Sequence, residues 1–474
     1  MSTVYPLFLA GDWVETPSRL ANVNPYSGES LGDVCQAGEE EAERAVTAAV
    51  QAFRELKRLP SYERARILLD VARQIRENKE ELVTLMSGEA GVPRFFTGIE
   101  VDRAVHTFTT AAEEAKRIGG EVLPLDLLPG SEDRFGYTRR VPLGPVLGIT
   151  PFNFPLNLVA HKVAPAIAVG NPIVVKPAPQ APCTALKLAE FFEKAGLPRG
   201  ALSVLPTSVK VAEKLVRDDR FKLLTFTGSA SVGWYLKQAA GKKRVMLELG
   251  SNSAAVVHQD APDLDFAARR LALGAMASAG QVCISVQRVF VHRPVYEEFR
   301  QRFVDAVGAT KVGDPLNPDT RVGPLIDEAN AIRVEKWVEN AVAKGARVLT
   351  GGHRNGVFYE PTVLENVDHS CEVYTEEVFG PVVLLEAYDS FEDALNLVNE
   401  SRFGLQAGVF TADVRNILRA AEELEVGGVI VNDYPTYRID HMPYGGVKDS
   451  GLGREGLKYA IQEMTELRLV VFNR

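Results

Sequence analysis

Five short apolar runs, Val146-Leu-Gly-Ile-Thr150, Pro172-Ile-Val-Val-Lys176, Leu202-Ser-Val-Leu205, Leu223-Leu-Thr-Phe-Thr227 and Arg244-Val-Met-Leu-Glu248, alternate with helical stretches at 155–169, 181–195, 208–217 and 231–240. Such alternation predicts a doubly wound, parallel α/β sheet, because a parallel strand needs a crossover connection and a helix provides it. Open sheets of this type bind ligands outside the carboxyl ends of their strands. Three points on that edge carry chemistry. Asn153, in Pro151-Phe-Asn-Phe-Pro155, follows the first strand and offers an amide N–H to an oxyanion, or caps an ordinary turn. Lys176 ends the second strand. Phe226-Thr-Gly-Ser-Ala-Ser-Val-Gly233 joins the fourth strand to a helix and places Gly228, Ser229 and Gly233 where N–H groups at a helix start could receive a pyrophosphate.

Outward from this core, a second strand series begins after Ser251: 254–257, 288–292, 348–350, 382–386, 407–410 and 428–431. It predicts a separate α/β unit. Upstream, the chain reads as amphipathic helices over 40–56, 62–88 and 98–118. The segment 120–140 and the tail 467–472 are strand-like but belong to neither series, and a terminal apolar strand needs an edge to pair with, such as one in a partner subunit. The plan is therefore two α/β units, 1–119 with 141–249 and 250–456, plus a strand arm from 120–140 and 457–474.

At 474 residues the chain exceeds what a single core supports. Its net charge of −9, without a long basic block, argues against nucleic acid or an anionic membrane surface and for small molecules as partners. Four widely spaced cysteines without CxxC predict neither disulfides nor a zinc site and fit a reducing cytoplasm. Seven scattered histidines predict no metal. The N-terminus lacks a signal-peptide pattern, and Val163 to Val175 is interrupted by Pro165, Gly170, Asn171 and Pro172, so no membrane span is expected.

Cys283 stands in Ser278-Ala-Gly-Gln-Val-Cys-Ile284, downstream of Glu248 in Val245-Met-Leu-Glu-Leu-Gly-Ser251. A lone cysteine is more often a buried structural thiol. A thiol with a carboxylate, however, makes a nucleophile and a base, provided the fold brings them together. Glu377-Val-Phe-Gly-Pro381 adds a carboxylate for a ribose and an aromatic wall for a flat ring.

These residues, in this order and spacing, resemble the aldehyde dehydrogenase superfamily over nearly the whole chain, from Gly11-Asp-Trp13 and Asn24-Pro-Tyr-Ser-Gly-Glu29 to Pro443-Tyr-Gly-Gly-Val-Lys-Asp-Ser-Gly-Leu-Gly453. The resemblance implies two Rossmann-like units, dinucleotide-binding and catalytic, with an oligomerisation arm that makes a homodimer or homotetramer. It implies that Cys283 attacks an aldehyde, that Asn153 and the Cys283 N–H hold the oxyanion, that Glu248 activates water against the thioester, and that Lys162 supports a proton relay. It implies NAD or NADP held by Thr150, Pro151, Phe152, Lys176, Pro179, Phe226, Thr227, Gly228, Ser229, Gly233, Leu249, Glu377 and Phe379. Pro179 stands where many NAD-specific members carry a Glu that binds the adenosine ribose, which opens the site to NADP. Ser251 replaces a Gly, and Val282 stands where members acting on phosphorylated or phosphonated aldehydes carry Arg. The run 438–450, with Asn157-Leu-Val-Ala-His161, looks most like the lactaldehyde and phosphonoacetaldehyde dehydrogenase branch. Small polar aldehydes are implied, hydroxylated ahead of phosphonated, with Arg103, His161, Arg438 and His441 as candidate contacts. A CoA-acylating enzyme and a non-catalytic dinucleotide-binding protein of the same fold are the alternatives; Glu248 argues against the first, and Cys283, Glu248 and Asn153 together against the second.

Overall fold

The computed structural model describes residues 3–474. Its first large sheet runs, edge to edge, Gly451–Leu452, Arg244–Glu248, Leu223–Thr227, Val146–Ile149, Ile173–Lys176, Leu202–Val204, Leu7–Leu9 and Asp12–Val14. The five expected strands are its parallel centre. All are buried apart from a few end positions, which matches their unbroken apolar runs. Antiparallel strands close both edges. Strand order reverses between Val146–Ile149 and Leu223–Thr227, so the turns after these two strands open a crevice at the switch point.

The second sheet runs Arg347–Thr350, Thr362–Glu365, Val382–Tyr388, Arg288–His292, Ala254–Val257, Gln406–Phe410 and Gly428–Val431, parallel except for the first. Thr362–Glu365 is a strand the pattern did not reveal. The expected helix over 62–88 is two, Ser61–Glu77 and Lys79–Ala90. Asn78 interrupts them with a side chain that donates to the Gln74 carbonyl at 2.8 Å, the local competition that makes Asn a helix breaker. Helix Arg94–Ala115 begins just after Pro93, earlier than its apolar spacing indicated.

Strand Thr465–Asn473 pairs antiparallel with Arg134–Pro142 of the same chain, and Val122–Leu123 flanks the latter. The terminal strand thus finds its first partner at home rather than in another subunit, and its outer edge stays open. No helix among the described residues is long and apolar enough to cross a membrane, and no group of His, Cys, Asp and Glu among them could hold a metal ion.

Candidate active site

Cys283 reaches its position through a strained turn. Helix Leu264–Met276 stops, and Ser278, Ala279 and Gly280 follow with φ of 51°, 58° and 70°. A side chain at Gly280 would collide with the Gly380 carbonyl, so only glycine fits. Two consecutive non-glycine residues in the left-handed region cost about 1–3 kcal/mol each, a cost that tends to be borne at functional sites. Gln281 locks the turn, donating to the Ser278 and Pro324 carbonyls and accepting from the Ile326 N–H.

The half-buried thiol then faces a cavity of about 270 Å³ lined by Phe95, Phe96, Phe154, Leu158 and Ile284, and by Arg103, Arg270, Arg438, Tyr437 and Tyr444. Burial pushes the thiol up to about 11, against the downward pull of the Tyr444 hydroxyl and Arg438. Asn153, 3% exposed, donates from Nδ2 to the Gln281 carbonyl at 2.9 Å. An amide nitrogen carries two hydrogens, so one remains ungiven.

Glu248 closes strand Arg244–Glu248, and neither of its buried carboxyl oxygens has a hydrogen-bond partner. Burial, reinforced by the Glu455 charge, holds it well above the usual carboxylate range. Lys162, fully buried on helix Asn157–Val169, donates to Thr227 Oγ1 at 2.7 Å, Thr225 Oγ1 at 3.2 Å and Glu455 Oε1 at 3.4 Å. Burial depresses its ammonium. Burial works to raise Glu455, but Lys162, His161 and Arg438 outweigh it and hold this carboxylate down at about 2. Burial thus favours the neutral form of one carboxyl more than usual, while neighbouring cations favour the charged form of the other, a division set by environment.

Arg438 donates to Glu455 Oε2 at 3.0 Å and lies over the Tyr444 ring. Asp440, 1% exposed, accepts from Arg103 at 2.7 and 3.1 Å, Asn157 Nδ2 at 3.0 Å and His161 Nε2 at 2.8 Å. Burial opposes the charge, but Arg103 and His161 hold Asp440 below the usual carboxylate range. Arg103 and Arg438 line the cavity; His161 does not, and sits behind it against Asp440, with Arg438 Nη2 3.2 Å from the same Nε2. His441 is a plain correction: it lies on the surface, 3.3 Å from His106. Glu455, Asp440, Tyr444 and Arg270 went unread in the sequence; the recurrence of charged and aromatic residues over 433–455 hinted at the first three, and nothing local at Arg270.

At the switch point, Gly233 lets helix Ala230–Ala239 pack against Leu249, whose side chain a Cβ would strike. The Gly228 N–H is already given to the Glu248 carbonyl at 3.1 Å and that of Gly233 to the Ser229 carbonyl at 2.9 Å, so neither is free for a pyrophosphate. The N–H groups of Ala230, Ser231 and Val232, in the helix's first turn, are the free donors instead. Phe226 is buried, and Thr227 accepts from Lys162. The Thr150 hydroxyl is buried without a partner. Phe152 meets Phe379 edge-to-face at 6.0 Å, and Phe379 itself has a φ of 47°. Glu377, lifted to about 7 by burial, accepts from the Ser251 N–H at 3.1 Å. Lys176 is partly exposed at its strand end, near the exposed Pro179. The uncapped helix start, the close approach at Gly233 and the orphaned Thr150 hydroxyl together fit a dinucleotide.

A family model described as "Aldehyde dehydrogenase family" matches residues 13–470. The chain belongs to the aldehyde dehydrogenase family. It is 44% identical over 470 residues to 3-sulfolactaldehyde dehydrogenase of Priestia aryabhattai, spanning 99% of this chain and 98% of that one. It is 39% identical over 473 residues to lactaldehyde dehydrogenase of Methanocaldococcus jannaschii, spanning 99% and 100%. Among solved structures, it resembles aldehyde dehydrogenase 21 of Physcomitrella patens in complex with the reaction product succinate, at 44% identity and a TM-score of 0.98 over 100% and 99% of the two chains. It also resembles glyceraldehyde-3-phosphate dehydrogenase of M. jannaschii complexed with NADP, at 39% identity and a TM-score of 0.92 over 97% and 100%. The expected fold and family are borne out, as is the likeness to lactaldehyde dehydrogenases; relatives named for sulfolactaldehyde stand beside them.

Proposed function

We propose that this aldehyde dehydrogenase oxidises a short aldehyde bearing an anionic group or a hydroxyl to the carboxylic acid, with NAD or NADP as oxidant, through a covalent bond to Cys283. One observation carries the reading: a strained turn presents the Cys283 thiol to a cavity where Arg103 and Arg438 converge. The Cys283 thiolate adds to the aldehyde carbon, and the carbonyl electron pair moves to oxygen. There the free Asn153 N–H and the Cys283 backbone N–H donate. When bound, the dinucleotide supplies the hydride acceptor. Thr150, Lys176 and Glu377 would hold its ribose hydroxyls, the first turn of Ala230–Ala239 with Ser229 its pyrophosphate, and Phe152 and Phe379 its ring. Glu248 then takes a proton from the water that cleaves the thioester, a task for which a raised carboxyl is matched. Lys162 and Glu455 form the polar path behind it.

Each cavity arginine is paired with a carboxylate, Arg103 with Asp440, Arg270 with Asp433 and Arg438 with Glu455. A guanidinium has five N–H groups, so each pair keeps donors for a substrate anion. The relatives named for sulfolactaldehyde and glyceraldehyde-3-phosphate, and the neighbour in complex with its product succinate, support that chemistry, and the complex with NADP supports use of that cofactor where Pro179 offers no carboxylate to repel a 2′-phosphate. In the same reading the first sheet is the dinucleotide-binding unit, the second the catalytic unit, and the strand arm joins subunits of a cytoplasmic homodimer or homotetramer.

The test is NAD(P)H formation by the purified protein from 3-sulfolactaldehyde, succinic semialdehyde, lactaldehyde and hexanal, with each cofactor and with or without CoA. The polar aldehydes should exceed hexanal in kcat/KM by about 100-fold, because an alkyl chain leaves buried donors unpaired. Preference for hexanal, or a strict need for CoA, would overturn the reading.

A further inference from the structure

Tyr444 is 2% exposed, and its hydroxyl lies 2.9 Å from Cys283 Sγ. Its backbone is pinned on both sides, its N–H donating to the Glu455 carbonyl at 3.1 Å and its carbonyl accepting from the Glu455 N–H at 2.6 Å. The Arg438 guanidinium lies 3.7 Å from the ring centroid. Arg438 is fixed in turn by Glu455. The phenol is therefore held in one place from three directions and aimed at the reacting sulfur.

We propose that Tyr444 is a catalytic residue whose hydroxyl donates to the Cys283 sulfur and stabilises the thiolate. It acts before the sulfur adds to the aldehyde, and again when the carbon–sulfur bond of the thioester breaks and its electron pair returns to sulfur. The inference rests on Cys283 as nucleophile. A hydrogen bond to an anion is about twice as strong as one between neutral groups, whereas a neutral thiol accepts weakly, so the interaction favours the thiolate. Burial keeps the phenol protonated, which preserves the donor, while the guanidinium over its face draws electron density from the ring and strengthens it. Glu248 cannot substitute, since neither of its carboxyl oxygens bonds to any group among the described residues.

The experiment is the pH dependence of Cys283 alkylation by iodoacetamide, followed by peptide mass in the full-length protein, for wild type and Tyr444→Phe. The substitution removes one oxygen and leaves the ring under Arg438. The inflection should move up by about one pH unit, with alkylation below it slowed about tenfold, since one pKa unit is a tenfold change in thiolate. The thermal midpoint should stay unchanged. Should Tyr444→Phe misfold, 3-fluorotyrosine at position 444, a more acidic phenol, should move the inflection down instead. A wild-type profile in either variant overturns the proposal, because a packing role would leave thiol titration unmoved. Loss of NAD(P)H formation in Cys283→Ala tests the nucleophile separately, and alkylation is read without turnover, so the two failures are distinguishable.

Discussion

Glu248 and Asp440 are both buried carboxyls, yet the structure pushes them in opposite directions, and each shift has a measurable consequence. Glu248 lacks hydrogen bonds and sits near a charged Glu455. Glu248→Gln should therefore give a burst of NAD(P)H and then stall, with steady turnover reduced about 10²–10⁴-fold. The wild-type rate of the hydrolytic step should rise with pH through the raised Glu248 pKa, and that limb should vanish in the variant; stopped-flow absorbance across pH 6–9 reads both. Asp440 is the reverse case. Its folded pKa is depressed, so its contribution to stability is present above the unfolded value of about 3.9 and is lost as pH falls below it. Asp440→Asn leaves Arg103 facing a neutral partner and should cost about 3 kcal/mol at pH 7 in urea unfolding. A loss no larger than that of an exposed ion pair would show that the network contributes little.

At the scale of elements, the proposed cofactor site depends on how closely helix Ala230–Ala239 approaches Leu249. Gly233→Val forces the helix away and should weaken NADP binding about tenfold or more in a fluorescence titration, while iodoacetamide still reaches Cys283 at the wild-type rate. The turn at 277–280 leads into the second sheet rather than the first, so the two effects should separate. The same scale shows why some boundaries were unreadable. Continuous apolar spacing across 62–88 masked a break made by one Asn78 side chain, and Thr362–Glu365, short and preceded by Pro361, acquires strand character from its neighbours in the sheet.

For the whole molecule, the arm is the informative feature. Thr465–Asn473 uses one edge on Arg134–Pro142 and leaves the other open, with Leu467 54%, Leu469 55% and Val471 48% exposed along one face. An open edge beside an apolar face is an aggregation hazard unless another chain covers it. If the arm joins subunits as proposed, deleting residues 467–474 should give monomer or aggregate, where the full chain gives a dimer or tetramer, in sedimentation velocity. A truncated protein of unchanged mass and activity would assign the arm a role within the subunit only.

The sequence by itself determined the sheet alternation and the crevice at the strand ends and marked Cys283, Glu248 and Asn153 as candidates, because each sits on a turn or strand end with a local signature of glycine, proline or β-branched residues. Only the tertiary structure decided that Arg103 serves Asp440, 337 positions away, that Tyr444 meets Cys283, 161 positions away, and that His161 backs the cavity while His441 faces solvent. Such contacts leave no trace in local pattern. A hydrogen bond depends on where two backbones are brought by packing, and the side chain's identity shows what it can donate or accept but not to whom.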